Sequence, residues 1–252
     1  MEEDDPNQAY PRFWNMQDFD ARSEAWCHDE RLLGLAGGLI DDEGLLYQSM
    51  VYFKPPGGRG QSHHQDQAYI NKHPLVGVWV PLDKSDAEVG ALSMLPGSHL
   101  HGLLPVSNDD ATLSRSFTRG ETVVEGREER EVLLDMEPGD AVFFDGRGTA
   151  NFCTPRQARL CRPLTLATCA TVLWTVVHGS YNNESAERWR RSFHLHVVGA
   201  RTVDVEIPPH ADPRQWEPED SQLGASNCTP TASCLGPLVA LRTHAPRACT
   251  GR

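Results

Sequence analysis

The chain lacks any long apolar run and has few basic residues. No apolar stretch reaches the roughly 18–20 residues that a membrane-spanning helix requires. The amino terminus, MEEDDPNQAY, is acidic, whereas a secretory signal begins with basic residues followed by an apolar stretch. With 23 Lys and Arg against 35 Asp and Glu, the net charge of −12 argues against a surface that binds nucleic acid. We therefore expect a soluble, cytoplasmic protein whose partner is a small molecule.

Cysteine is almost absent from the first part of the chain, where Cys27 alone precedes residue 150. The other six lie in residues 148–175 and 224–252, two segments that contain no Asp or Glu. An odd total of seven cysteines without CxxC pairs predicts neither a disulfide framework nor a zinc ribbon. Two interpretations of these segments stay open: a surface insertion with a low-order tail, or read-through of non-coding or wrongly spliced sequence.

The middle of the chain alternates short apolar runs with breaks that contain Gly and Pro. Between residues 20 and 40 the apolar residues fall at helical spacing, and we expect one helix that ends near Gly37-Gly38. Later runs predict short strands: LLYQSMVYFK, VGVWVPL, GALSML, ETVV, REVLLDM, DAVFF and SFHLHVV. Many strands without a βαβ rhythm predict a mainly β fold, a double-stranded β-helix (jelly roll or cupin-like) with a few flanking helices.

A length of 252 residues fits a single domain with a sizeable core. We expect this domain to occupy residues 21–210, with 148–175 as an atypical insertion. Residues 1–20 are then a polar lead-in and residues 211–252 a low-order tail.

The most informative cluster of chemical groups is HHQDQAYI, residues 63–70. His64 and Asp66 are separated by one residue on an expected strand, so their side chains point to the same face, away from that of His63. An imidazole nitrogen and a carboxylate oxygen can then meet one metal ion. A distant second histidine would complete the facial triad of mononuclear iron(II) oxygenases, which leaves coordination positions open. HxD alone is a weak signal, because it occurs by chance in many proteins.

A second cluster lies downstream in HGSYNNESAERWRRSFHLHVV, residues 178–198. It offers His178 as a third ligand, whereas the competing His99 sits in a turn after a strand. The arginines that follow provide a rigid fork that binds a carboxylate with two hydrogen bonds. His194 and His196, farther along the same run, are expected to pack or hydrogen-bond.

With these residues the chain resembles the phytanoyl-CoA dioxygenase family of iron(II)/2-oxoglutarate oxygenases. Four blocks carry the likeness in the family's order: QSMVYFKPPG, HHQDQAYI, VGVWVPLDKSDAEVGALSMLPGSH, and GDAVFFDG followed later by VHGSYNNESAERWRRSF. The resemblance implies a dioxygenase that uses Fe(II), 2-oxoglutarate and O2. It would oxidise a small organic or lipid-like substrate, by hydroxylation in the first instance, and release succinate and CO2.

The resemblance also implies roles for matched positions. Three residues would bind iron: His64, Asp66 and His178. Five would hold the cosubstrate, with Arg190 and Ser180 at its far carboxylate and Met50, Gln65 and Trp79 along its pocket. The stretch after Asn183 is one residue longer than in familiar members, which leaves Arg188 and Arg191 as weaker candidates for the anchor. Lys54 fits a solvated turn or a group that steers an acidic substrate equally well.

Two departures from the family leave other functions open. The family usually has a strand and a helix before the region matching residue 20, so the amino terminus is expected to be truncated. The segment 148–175 separates His178 from the preceding strand, and an inactive or mis-spliced member is the first alternative. The second is a metal-dependent isomerase or hydrolase on a similar barrel. Oligomeric state and substrate identity are not indicated by the sequence.

Overall fold

The computed structural model describes residues 12–107, 120–145 and 176–205, together with a strand at 240–242. The helices are α1 (Ala21–Cys27) and α2 (Glu30–Ile40), with 3₁₀ turns at Met16–Asp18, Asp66–Ala68 and Ser98–His101. The strands are β1 (Arg12–Trp14), β2 (Gly44–Lys54), β3 (Gln61–His64), β4 (Lys72–Pro81), β5 (Leu92–Met94), β6 (Val106–Ser107), β7 (Glu121–Thr122), β8 (Val132–Leu133), β9 (Asp140–Asp145), β10 (His178–Ser180), β11 (Arg190–Asp204) and β12 (Ala240–Arg242).

Two antiparallel sheets form the body of the fold. The larger has the order β1-β2-β11-β4-β9-β12 and the smaller β3-β10-β5-β8, while β6 and β7 form a separate ribbon. Side chains from both sheets share one apolar cluster, which includes Trp79 and Phe144 from the larger and Leu92 and Met94 from the smaller. Two such sheets facing each other form the expected double-stranded β-helix, so the predicted fold class is confirmed.

Successive side chains of β11 point to opposite faces of the sheet. One face packs in an apolar core and the other faces the interior of the barrel. Phe193, Leu195 and Val197 face outward and pack in a cluster with Leu32, Ala36 and Ile40 of α2, among others. The alternate residues of β11 therefore point between the two sheets. This arrangement delivers polar side chains to the interior while α2 covers the other face of the sheet.

The prediction of a single helix over residues 20–40 is wrong, because the structure has two helices in this range. Asp20 and Asp29 each cap a helix by accepting a hydrogen bond from a backbone N–H of the first turn. The second helix continues through Gly37-Gly38 to Ile40. Gly37 serves close packing, since a Cβ there would lie 2.6 Å from the carbonyl oxygen of Asp42 and from the amide nitrogen of Gly44.

Strand β1 lies within the segment expected to be a polar lead-in, and it pairs with Met50–Tyr52 of β2. The segment 148–175 lies outside the described residues, as does the predicted tail apart from β12, which pairs with β9. The strands on either side of 148–175 are both paired, β9 with β4 and β10 with β5, and β10 also pairs with β3 across a register shift. Within the described ranges, no helix has the length and apolar character needed to cross a bilayer.

Candidate metal centre

The HxD segment stands at the end of β3. His64 closes the strand, whereas Asp66 opens the 3₁₀ turn, so the expectation that both lie on one strand is wrong for Asp66. Gln65 between them is extended, with φ −109° and ψ 134°. Because an extended residue turns successive side chains to opposite sides, His64 and Asp66 still point the same way.

His178 reaches the same place from a neighbouring strand. It is the first residue of β10, which pairs antiparallel with β3 so that His178 stands directly opposite His64. Its Nε2 lies 3.6 Å from Oδ1 of Asp66, and Nε2 of His64 lies at the same distance, 3.6 Å. All three side chains are buried, and their potential ligand atoms lie within 4.8 Å of one another. The three predicted metal ligands are thus brought together.

Backbone carbonyls fix which nitrogen of each ring faces Asp66. Nδ1 of His64 lies 2.8 Å from the carbonyl oxygen of Ser62, and Nδ1 of His178 lies 3.0 Å from that of Val176. A carbonyl oxygen only accepts, so Nδ1 carries the proton in both rings and the Nε2 lone pairs face the carboxylate. The amide nitrogen of Gln61, 3.2 Å from Nε2 of His64, donates to this lone pair. Both rings are therefore oriented as metal ligands usually are.

Burial and neighbouring charge set the protonation states of this cluster. Burial lowers the pKa of His178 to about 4, although Asp66 acts in the opposite direction. Burial alone would raise the pKa of Asp66, but the imidazoles of His178, His196 and His64 outweigh it and hold that pKa well below its usual value. Near neutral pH Asp66 is therefore a carboxylate and His178 a neutral imidazole, which are donors suited to a divalent cation.

A cavity of about 300 Å³ opens beside the triad and contains most of the other predicted residues. Four of the five cosubstrate candidates line it: Met50, Trp79, Ser180 and Arg190. Gln65 is not among the lining residues, and its predicted place in the pocket is wrong. Its side chain leaves the strand on the side opposite to His64 and Asp66, where its amide nitrogen donates to the carbonyl of Gly102 and its oxygen accepts from the N–H of Leu104.

One end of the cavity is cationic. Arg190 is buried, its guanidinium carbon lies 5.5 Å from the centre of the Trp79 ring, and it pairs in register with Lys54 across β11 and β2. The Lys54 ammonium is wholly buried and donates to Ser180 Oγ and to the carbonyls of Gly90 and Tyr181. Burial, and then the charge of Arg190, lower the pKa of Lys54 well below its usual value. Lys54 is therefore not a solvated turn residue, and none of the described carboxylates pairs with it.

The competing candidates are engaged elsewhere. Arg188 forms ion pairs with Asp86 and Glu88 at the surface, and Arg191 forms one with Asp83. His99 is buried but is not among the residues that line the cavity. Among the described arginines of this run, Arg190 is thus the one that faces the cavity.

Sequence reasoning missed the closeness of His194 and His196 to the triad. Both are buried and line the cavity, and a ring nitrogen of each lies within 4.8 Å of the other and of a carboxylate oxygen of Asp66. Nε2 of His196 is 3.4 Å from Oδ2 of Asp66, and its Nδ1 is 2.8 Å from the amide nitrogen of Gln48. Their even spacing from Arg190 on one strand was the available signal.

Comparison with known proteins gives a consistent family. Residues 11–151 match the family model for phytanoyl-CoA dioxygenase (PhyH). A phytanoyl-CoA dioxygenase of Arabidopsis thaliana is 24% identical over 193 residues, which are 73% of this chain and 54% of that protein. Methylphosphonate hydroxylase of Gimesia maris is 29% identical over 116 residues, 43% of this chain and 39% of that protein. The chain thus spans about half, or less, of the length of these relatives.

Solved structures share the fold. EvdO2 from Micromonospora carbonacea var. aurantiaca, also solved in complex with 2-oxoglutarate, superposes with a TM-score of 0.58 at 21% identity, over 82% of this chain and 73% of that chain. EctD from S. alaskensis with bound Fe gives a TM-score of 0.52 at 19% identity, over 82% of this chain and 64% of that chain. Together with a family match over more than half of its residues, the fold and the paired histidines and aspartate show that this chain belongs to the phytanoyl-CoA dioxygenase (PhyH) family.

Proposed function

We propose that this protein is an Fe(II)/2-oxoglutarate-dependent dioxygenase that hydroxylates a small organic or lipid-like substrate. The observation that carries the proposal is the convergence of His64, Asp66 and His178 in one buried cavity that has a cationic far end. The family assignment supports the same activity, and so do the 2-oxoglutarate in a complex of EvdO2 and the Fe in EctD.

The donor set fits ferrous iron. Two imidazole nitrogens and one carboxylate oxygen are the ligands of the facial triad, which leaves three coordination positions for a 2-oxo acid and dioxygen. His64, Asp66 and His178 would hold the ion, with both rings already oriented by backbone carbonyls. Dioxygen would supply the oxidising power for attack on a C–H bond at the bound iron, and the 2-oxo acid would supply two electrons as it is converted to succinate and CO2.

The far end of the cavity fits the second carboxylate of 2-oxoglutarate. Arg190 offers a planar fork for it, and the hydroxyl of Ser180 lies on the same wall. Lys54, which donates to that hydroxyl, adds positive charge behind it. Met50 and Trp79 line the cavity and would exclude water from the carbon chain. This chain's own share of the reaction is to hold and orient the acid in a dry site.

The substrate would approach the side of the cavity that is rich in aromatic residues. Trp14, Tyr47 and Tyr69 line the cavity and yet are 53%, 42% and 48% exposed, so their rings reach the solvent. Such half-exposed rings suit an apolar body of modest size, because they bury area without closing the entrance. This supports a small organic or lipid-like substrate.

An anaerobic titration tests the proposal. Iron(II) followed by 2-oxoglutarate is expected to give a weak visible charge-transfer band, and exposure to air with a screen of candidate substrates is expected to release succinate. Folded protein that gives no band would favour the inactive alternative. Turnover that persists without 2-oxoglutarate and O2 would favour the isomerase or hydrolase alternative.

A further inference from the structure

His194 lines the cavity but belongs neither to the metal triad nor to the cosubstrate candidates. On β11 it stands in register with Met50 of β2 on one side and Trp79 of β4 on the other. It lies four residues beyond Arg190 on the same face of the strand. The ring therefore lies on the wall of the cavity, farther along from the cationic end.

The ring of His194 has an unsatisfied polar atom. The residue is 7% exposed, and its Nε2 is buried without a hydrogen-bond partner among the residues that the structure describes. Its ring neighbours are His196, with centroids 4.5 Å apart, and Phe144, at 5.8 Å. Buried polar atoms in native proteins nearly always have a partner, so this nitrogen indicates a ligand that binds here.

The neighbourhood of His194 indicates what that ligand presents. A ring nitrogen of His194 lies within 4.8 Å of a carboxylate oxygen of Asp66, so the ring stands at the metal end of the cavity. Four residues of strand, about 13 Å, separate it from Arg190 along the backbone. A molecule anchored at Arg190 that reaches the metal therefore presents its near end to His194.

A second metal site formed by Asp66, His194 and His196 is the competing explanation. The contacts of His196 disfavour it. Nδ1 of His196 accepts from the Gln48 amide nitrogen at 2.8 Å, which places the ring proton on Nε2, 3.4 Å from Oδ2 of Asp66. A protonated Nε2 turns its hydrogen toward the carboxylate and has no lone pair for a metal. His196 thus steadies Asp66, and His194 has no second histidine ligand beside it.

We infer that His194 donates a hydrogen bond to the 1-carboxylate of 2-oxoglutarate, at the end of the acid that meets the metal. This rests on the proposed function. Arg190 and His194 then grip the two ends of the cosubstrate from one strand. The pair would distinguish a 2-oxo diacid from succinate, which has a carboxylate for Arg190 but lacks the 2-oxo acid head.

The test compares two ligands in three variants of the full chain under anaerobic conditions with Fe(II). The probes are 2-oxoglutarate, followed by its charge-transfer band, and succinate, followed by displacement of 2-oxoglutarate. His194→Leu, which removes the donor, is expected to weaken 2-oxoglutarate about tenfold or more and succinate less than about twofold. His194→Gln, which keeps a donor, is expected to recover most of the affinity. His99→Leu, at a buried histidine outside the cavity, is the matched control and should change neither.

Each other result overturns the inference. If His194→Leu weakens both ligands equally, His194 acts at the far carboxylate or in folding. If the affinity for 2-oxoglutarate is unchanged, His194 does not bind the cosubstrate. A parallel loss of Fe(II) affinity would favour the second metal triad. If His194→Leu does not fold, His194→Met provides a flexible side chain without a donor for the same comparison. Wild-type protein that binds no 2-oxoglutarate would instead refute the proposed function itself.

Discussion

The two sides of strand β3 present nearly the same chemical groups with opposite outcomes. On one side, His64 meets Asp66 and His178 in the cavity. On the other side, the adjacent His63 meets Glu121 and Glu131, whose side chains are 13% and 11% exposed against 5% for Asp66. Both sides hold an imidazole with carboxylates that are largely shielded from solvent, so residue type alone does not distinguish them.

Hydrogen-bond donors make the difference. Behind β3, Arg127 pairs with Glu121, the hydroxyl of Tyr181 donates to Glu131, and His63 lies 3.1 Å from Glu131. In the cavity, the protons of His64 and His178 are directed away to backbone carbonyls, and their lone pairs face a carboxylate oxygen. The acceptor atoms of His64, Asp66 and His178 that face one another would suit a cation between them, whereas the cluster around His63 already contains the cation Arg127. A cluster of histidines and a carboxylate indicates a metal site when the ring N–H groups point away from the carboxylate and the ring lone pairs point toward it.

Removing the carboxylate of the cavity should have the largest effect. We expect Asp66→Ala to lower Fe(II) affinity and succinate release by at least about 100-fold, since one of three ligands and the only anionic one is lost. Anaerobic Fe(II) titration and a succinate assay measure this. Glu131→Gln behind β3 is the control and should leave Fe(II) affinity within about twofold. If Glu131→Gln weakens iron as much as Asp66→Ala, the contrast between the two sides is wrong.

The cationic end of the cavity gives the next largest effect. Arg190→Met should raise the KM for 2-oxoglutarate about 10- to 100-fold, because a charge-assisted bidentate contact contributes roughly 1.5–3 kcal/mol. Arg191→Met, one residue along and paired with Asp83 at the surface, should change it less than about twofold. Steady-state kinetics with varied 2-oxoglutarate provide the comparison. A larger effect at Arg191 would move the anchor to that residue.

On the rear side, a substitution should affect stability and leave iron binding intact. His63→Leu removes the partner that lies 3.1 Å from Glu131 and 2.5 Å from Ser93 Oγ. We expect a loss of about 1–3 kcal/mol in the free energy of unfolding, as is typical when buried polar groups lose a partner. Urea unfolding of the iron-free protein measures it. Fe(II) affinity that falls while stability holds would contradict the assignment of His63 to the fold.

Acid should destabilise the iron-free protein through buried histidines, with a small effect over any one pH unit. Burial lowers the pKa of His99 from 6.5 to about 4, so the unfolded chain binds a proton there before the folded chain does. Stability should therefore fall as pH drops from about 6.5 to about 4, by at most roughly 1.4 kcal/mol per pH unit for each such group. His99→Leu should flatten this limb of the unfolding curve. An unchanged slope would show that His99 does not contribute.

Much of the site followed from local patterns. The HxD pair followed from the period of an extended chain and the preferences of metal ions, whereas the roles of His178 and Arg190 followed from the resemblance to the family. The predicted end of the helix was wrong because Gly37 was interpreted as a helix stop. A glycine is needed there because residues 42–44 approach it closely. Gln65 was misplaced because the backbone around it sends its side chain to a loop that is distant in sequence.

By itself, the sequence determined the fold class and two halves of a metal site, since strand alternation and turn residues are encoded locally. Only the tertiary structure decided which groups meet. Pairing of β3 with β10 set His178 opposite His64, and pairing of β11 with β2 and β4 turned Arg190 and His194 inward while Arg191 reached the surface. Strand register is a long-range property: a shift by one residue exchanges every inward and outward side chain. For that reason the partners of each buried donor and acceptor were fixed only when the sheets assembled.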